Sequence, residues 1–380
     1  MNIGTTIKKL RREKEMTQET LAEYLGVSVS AVSQWESERT MPDLALIPSI
    51  CNLLGVSADD LLGIHLAQKQ QKISAITDEA DAYSSRGYDT EAYRILKAGL
   101  KTYPDSYEIM WGLMYVTFQL GYSKDHTEEE REAFTDEAIR LGETILEKCL
   151  DDSTRHSAIQ VLCMIYPRRG NRERAKELAK KMPTMVCSRE FLMTHVYDSG
   201  NEGDRTRKRC AYDLLQFLAR DMVSHPMVLD NGEKAYSAEE MAMLRDKQIA
   251  LFDLMFEDGD YGFYHGVLSA THESQARYYA KRGEAECALA HLGLAADHAI
   301  GFVRLLEGDE GDGRCDHTSL LFRGLSMGKG GISVSYTDND AQQLLNHMKK
   351  PEFDFVRETE VFAAITEKLS AYAGKWKPAE

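Results

Sequence analysis

Three times along this 380-residue chain a tyrosine is followed four residues later by a glycine and five further on by an alanine. The triplets are Tyr83, Gly87, Ala92; Tyr166, Gly170, Ala175; and Tyr279, Gly283, Ala288. A small residue stands three places before each tyrosine: Ala80, Cys163 and Ala276. A spacing that returns with the same residue types asks for one structural unit used repeatedly, and it limits the fold more than any single motif. The physics suits a helical hairpin. Glycine ends the first helix, small residues let two antiparallel helices approach, and the aromatic fills the gap between hairpins. One hairpin cannot bury its apolar face alone, so such units must stack.

Between the triplets, residues 106–121, 131–150, 188–197, 205–224, 236–257 and 262–271 read as further helices. The glycine-rich stretch Gly308–Gly331 interrupts the pattern. Its spacing matches neither G-x-x-x-x-G-K-[ST] nor G-x-G-x-x-G, so it reads as a turn region, with a short helix at 318–324 and a strand at 332–336, not as a phosphate cradle. Residues 351–372 carry a packing stripe of Phe353, Phe355, Val356, Phe362, Ile365 and Leu369, and 373–380 read as a frayed tail.

The first 66 residues hold five short helical segments. Ile3, Ile7 and Leu10 give the first a buried face, with Lys8, Lys9 and Arg12 elsewhere on its surface. Thr17 caps the second, whose Leu21, Ala22 and Leu25 point inward, and Gly26 supplies a left-handed exit. Val27 packs the turn, and Ser28 caps a third helix with Val32 and Trp35 inward. Pro42-Asp43 restarts the chain into a fourth helix with an inner stripe of Leu46, Ile50, Leu53 and Leu54, and Ser57 caps a short fifth. Two helices joined by a glycine-containing turn, the second short and polar, are the outline of a helix-turn-helix.

The residue order resembles the lambda-repressor/Cro-like family, the xenobiotic-response-element type. The resemblance rests on Gln18, Leu21-Ala22, Leu25-Gly26-Val27-Ser28, Val32-Ser33-Gln34-Trp35-Glu36, Pro42 and a closing Leu-Gly-Val-Ser-x-x-x-Leu-Leu, about 60 residues in all. It implies that Gln18 meets a phosphate, that Ser28 caps the recognition helix and reaches the backbone, and that Val29, Ser30, Ser33 and Gln34 face base edges. Gln34 is the candidate for a bidentate contact to adenine and Val29 for a thymine methyl. Arg39 and Thr40 follow as phosphate contacts. Ser30 and Ser33 are equally compatible with plain solvated surface. By the same resemblance Arg11 pairs with Glu36 and does not meet DNA, and Trp35 is core. Glu38 departs from the family, standing where relatives carry glycine or a basic residue. The repeats resemble tetratricopeptide units, with Leu96, Gly99 and Pro104 in the first and Leu292 and Ala295 in the third at the expected places. Regulators that join this head to such repeats bind a signalling peptide in a concave groove, and that role is implied here on architecture alone.

Charge sharpens the reading. The chain carries a net −15, and its first 65 residues hold six basic against nine acidic side chains, so DNA affinity must come from local clustering and helix N-termini. Seven scattered cysteines without a C-x-x-C pair argue for reduced thiols in a cytoplasmic protein and against a zinc ribbon. No apolar run approaches the ~20 residues of a membrane span, and the N-terminus lacks a signal-peptide pattern. No H-E-x-x-H, G-x-S-x-G or kinase set occurs; Cys315-Asp316-His317 lacks an oriented third group; and His265, His272, His291 and His298 read as surface or cavity-lining residues.

The expected fold is therefore all-α: a five-helix helix-turn-helix domain at 1–66, a linker at 67–72, a tetratricopeptide-like α-solenoid at 73–372, and the tail. The expected function is a non-enzymatic, cofactor-free transcription regulator. Its expected partners are double-stranded DNA, a second copy of itself, and a peptide or protein ligand, with no membrane. The alternative is a protein-interaction scaffold whose head only targets it to DNA.

Overall fold

The computed structural model describes residues 3–62, 66–196, 200–223, 232–307, 314–328 and 332–377. They form two compact units, Met1–Thr77 and Asp78–Glu380.

In the first unit α1 (Ile3–Glu13), α2 (Gln18–Leu25), α3 (Val29–Glu36), α4 (Ile47–Leu54) and α5 (Ala58–Leu62) stand where the caps predict. Thr17 Oγ1 accepts from the N–H of Thr20 at 3.1 Å, Ser28 Oγ from that of Ala31 at 3.1 Å, and Ser57 Oγ from that of Asp60 at 3.1 Å. Gly26 ends α2 at φ 67°, a left-handed conformation that a side chain would oppose. The core gathers Ile3, Ile7, Leu21, Leu25, Val32, Trp35, Ile50, Leu54 and Leu61. With so few helical turns per element, this shared apolar face and not helix propensity holds the unit together.

Helix α6 (Leu66–Ser84) spans residues 67–72, which the sequence assigns to a linker; that stretch is helical, and the division between units falls inside α6. No glycine or proline occurs between Leu66 and Ser84 to stop it.

The second unit continues with α7 (Asp89–Thr102), α8 (Tyr107–Leu120), α9 (Glu128–Lys148), α10 (Asp152–Ile165), α11 (Arg172–Ala179), α12 (Arg189–Val196), α13 (Gly200–Val223), α14 (Ala238–Met255), α15 (His265–Ala280) and α16 (Ala285–Glu307). Neighbours from α7 to α11 and from α12 to α16 pack in sequence order, as helical hairpins do. The three triplets build one turn three times. Gly87, Gly170 and Gly283 take φ of 78°, 75° and 73°. The residue after each glycine donates its N–H to the tyrosine carbonyl: Tyr88 to Tyr83 at 3.1 Å, Asn171 to Tyr166 at 2.8 Å and Glu284 to Tyr279 at 3.0 Å. These bonds close the helix end by the Schellman pattern. Ala92, Ala175 and Ala288 are buried at the contact they permit. The body is a tetratricopeptide-like helical repeat.

Helix α16 is long and apolar enough, by length and composition, to cross a membrane. It is also the core helix of this half: Ala288, Leu292, Ala295, Ala296, Ala299 and Val303 are buried, and α15, α17 (Asp340–Met348) and α18 (Glu360–Ser370) pack on it.

The glycine-rich region departs from expectation. Residues 318–324 form a turn and not a helix, between strands β1 (Arg314–Asp316) and β2 (Ser326–Gly328), which pair antiparallel. Residues 332–336 make no strand beyond one bridge from Val334 to Arg86, because their neighbour there is a helix end and not a sheet edge. Phe355 leaves the closing stripe at 48% exposure, since Pro351–Val356 winds as a 3-10 helix that points it outward while Phe353 and Val356 stay buried. The tail is pinned through 377. Trp376 is 1% exposed, sits edge-on to Phe302 with centroids 6.0 Å apart, and donates its N–H to Thr337 O at 2.8 Å.

The start and end of the body are bonded to each other. Tyr88 Oη donates to Trp376 O at 2.8 Å, Arg86 Nη1 donates to Ile332 O at 3.1 Å, and a Cβ on Gly87 would lie 2.5 Å from the Tyr336 carbonyl carbon.

The four histidines form a ladder between α15 and α16. Nδ1 atoms face each other at 2.8 Å in the pair His265–His298 and at 2.9 Å in His272–His291, and the rings of His272 and His298 stack at 5.5 Å. Burial, and then a neighbouring ring, holds His265, His272 and His298 down to about 4; burial lowers His291 as well.

Candidate nucleic-acid interface

Helix α3 has two unlike faces. Val32 and Trp35, three apart, are buried in the head core, whereas Val29, Ser30, Ser33 and Gln34 are all exposed. Spacings of four between Val29 and Ser33, and between Ser30 and Gln34, put them on one strip. Gln34 Nε2 lies 3.4 Å from Ser30 Oγ, a weak contact that leaves the amide free to turn toward a base. The strip begins at Ser28, whose side chain is committed to capping, and ends where the N–H groups of Arg39 and Thr40 bond Gln34 O at 2.9 and 3.4 Å. Arg39 and Thr40 are exposed beside that end.

Glu36 anchors the helix from behind. Arg11 Nε donates to Glu36 Oε1 at 2.5 Å and Nη2 to Oε2 at 3.0 Å, a bidentate pair with both side chains under 10% exposed. Arg11 Nη1 also donates to Met16 O at 2.5 Å. Arg11 is thus occupied in joining α1 to α3. Burial acts to raise the Glu36 carboxyl, but the Arg11 and Gln18 hydrogen bonds outweigh it and hold the group below the usual carboxylate range.

The same carboxylate reaches Gln18. Gln18 Nε2 donates to Glu36 Oε2 at 2.9 Å, so the start of α2 and the end of α3 share one acceptor. That tie fixes the side chain expected at phosphate and still leaves its carbonyl oxygen unused by it. Sequence spacing gave no sign of it.

Two backbone features complete the site. Gly4 on α1 presses against α3: a Cβ there would lie 1.8 Å from Trp35 O. Glu38 takes φ 59°, and Thr5 Oγ1 donates to its Oε1 at 2.6 Å. A left-handed conformation explains why glycine is the residue of choice at this position; a β-carbon there costs about 1 kcal/mol.

Elsewhere the fold supplies Cys315-Asp316-His317 with the oriented third group that local sequence lacked. Asp260 Oδ2 lies 2.9 Å from His317 Nδ1.

Comparison with known proteins agrees with the head's geometry. The helix-turn-helix family model HTH_3 matches residues 7–61. The uncharacterized HTH-type transcriptional regulator YazB of Bacillus subtilis (strain 168) is 38% identical over 58 residues, 15% of this chain and 84% of that protein. The HTH-type transcriptional activator BcrR of Enterococcus faecalis is 39% identical over 62 residues, 16% of this chain and 30% of BcrR, so the match spans less than a third of that relative. Among solved structures, Bacillus thuringiensis PlcR in complex with the peptide PapR7 and DNA aligns over 81% of this chain and 96% of that one, with 16% identity and a TM-score of 0.31. Through its first sixty-odd residues the chain belongs to the helix-turn-helix family of transcriptional regulators.

Proposed function

We propose that this chain is a sequence-specific DNA-binding transcription regulator that acts as a dimer on a two-fold operator. The reading is carried by α3, a short helix anchored by Val32, Trp35 and the Arg11–Glu36 pair, with its opposite strip exposed. Placed in the major groove, that strip brings Val29, Ser30, Ser33 and Gln34 to base edges. Gln18, Ser28, Arg39 and Thr40 flank it toward the backbone, where they set position and not sequence. Gln34→Ala is expected to weaken binding to the selected operator by about 1–3 kcal/mol and to relax preference at one base. Selection from a random oligonucleotide pool, followed by titration of both proteins, measures this. An equal loss on random DNA would move Gln34 to the phosphates.

One head reads few base pairs, so affinity and specificity call for a second copy. The body carries a face suited to it. Met185, Val186, Leu192, Val196, Leu214 and Leu218 are each 44–70% exposed along consecutive elements, more contiguous apolar side chains than a monomer's surface ordinarily leaves in water. Light scattering of the full chain is expected to give a dimer, and L214E/L218E a monomer with weaker operator binding. A wild-type monomer on its operator would favour the scaffold reading, in which the same face docks another protein.

For the peptide or protein signal, the body offers a cleft of about 530 Å³ between α13, the end of α14 and the 318–321 turn. Leu254, Met255, Leu320 and Leu321 give it apolar walls, and Arg207 and Lys208 a positive edge. Such a lining suits an apolar peptide with an acidic group. A ligand held there would alter operator affinity by favouring one placement of the paired heads.

A further inference from the structure

β1 and the turn before α15 meet in a packed corner of the body. β1 carries Cys315, 8% exposed, and just beyond it stands His317, 1% exposed. The turn carries Asp260, whose Oδ2 is held from two sides, by His317 Nδ1 at 2.9 Å and by the N–H of Thr318 at 2.7 Å. With Nδ1 donating to the carboxylate, His317 Nε2 presents a lone pair. That atom is buried and has no hydrogen-bond partner. Buried polar atoms are normally satisfied, and one that is not needs a reason.

The geometry supplies one. Cys315 Sγ and His317 Nε2 converge on Gly262, where a Cβ would lie 3.0 Å from the sulfur and 3.1 Å from the nitrogen. Gly262 also has φ 52°, so both the backbone and the space require glycine. One donor atom each from Asp260, Cys315 and His317 lies within 4.8 Å of the other two. Aromatic rings of Tyr212 and Phe256 wall the histidine at centroid distances of 5.3 and 5.4 Å.

We propose that Asp260, Cys315 and His317 form a three-ligand site for a zinc-class divalent cation, with water in the fourth position. Thiolate, imidazole and carboxylate are the donors such an ion selects, whereas calcium and magnesium call for oxygen alone. Tetrahedral coordination spaces donor atoms about 3.5 Å apart, which side-chain shifts of about an ångström would reach here. On binding, the Cys315 thiol gives its proton to solvent and its sulfur lone pair to the ion; no electron is transferred. The ion would staple the β1–β2 hairpin to the turn before α15. Two bonds already point the same way: Thr318 Oγ1 to Asp258 Oδ2 at 2.7 Å, and the Leu320 N–H to Glu257 Oε1 at 2.6 Å. The site stands apart from the DNA reading and does not depend on it.

The test uses the full chain, stripped with chelator and titrated with cobalt(II), then with zinc(II). One cobalt per chain is expected, with a thiolate-to-cobalt charge-transfer band that zinc abolishes. Zinc should also raise the melting temperature. In C315S the band should vanish, and H317A and D260N should weaken cobalt at least about tenfold, while C163S behaves as wild type. Circular dichroism reports folding; if C315S fails to fold, D260N, of nearly the same shape, carries the test. Absence of a thiolate band in the wild-type protein would overturn the proposal. So would a band that survives in C315S, which would place the ion on another thiol such as the exposed Cys187 or Cys287.

Discussion

Trp35→Ala is expected to unfold the head while leaving the body folded. The indole is 5% exposed and lies among Ile3, Ile7, Leu21 and Val32, in a core assembled from helices of 5 to 11 residues. Truncating such a side chain costs about 3–5 kcal/mol, the lost transfer energy plus the cavity left behind. A small domain has roughly 5–15 kcal/mol in total, and one of this size sits at the low end. The loss also reaches the site, because Glu36, the next residue, holds Arg11 and Gln18 in place. Hydrogen exchange on the full chain is the measurement. Amides of α1 to α5 should lose protection, with those of α15 and α16 unchanged. Intact protection together with lost DNA binding would instead make Trp35 a contact residue. G4A should act in the same direction at about 1–3 kcal/mol, since its methyl must push α1 away from the Trp35 carbonyl.

Acidification is expected to destabilise the body steeply between pH 6.5 and 4. A histidine whose folded value is depressed binds its proton less readily when folded than when unfolded. Between the two values the unfolded chain holds more protons, so stability rises with pH. It is fully present above about 6.5 and is lost as pH falls toward 4. For His272, 4% exposed, the shift from 6.5 to about 4 corresponds to about 3 kcal/mol. The other rings of the ladder add less than proportionally, since protonating one hinders the next. Asp89 and Asp340, pushed up to about 6 by burial, oppose the trend, because their folded state takes protons first. The difference between proteins therefore isolates the ladder. H272Q/H298Q should melt with a visibly shallower dependence on pH than wild type in urea titrations, and identical slopes would remove the ladder as the source.

Local rules carried most of the fold. Thr17, Ser28 and Ser57 mark helix starts by chemistry confined to a few residues, and Gly87, Gly170 and Gly283 mark helix ends in the same way. What escaped was set by distant partners. Gly4 looks like any glycine until Trp35 lies over it. Gln18 and Glu36 are 18 residues apart, and Asp260 and His317 57. Trp376 reads as a frayed end because its partners, Phe302 and Thr337, lie far upstream. Helix α17 went unseen beside the glycine-rich stretch, although Asn339 caps it and Ala341, Leu344 and Met348 repeat at helical spacing. At the head, burial of one face of α3 was readable from period alone; which exposed atoms meet bases is a property of the complex, and no spacing encodes it.

The bonds from Arg86 and Tyr88 to Ile332 and Trp376 alter how such a body should come apart. Stacked repeats with free termini fray from the ends inward, and each unit's stability depends on its neighbours alone. Joining first to last removes the cheapest place to begin and makes denaturation an event of the whole array. The same closure must be found across more than two hundred residues of chain, so the body should fold slowly and, once folded, hold on for long.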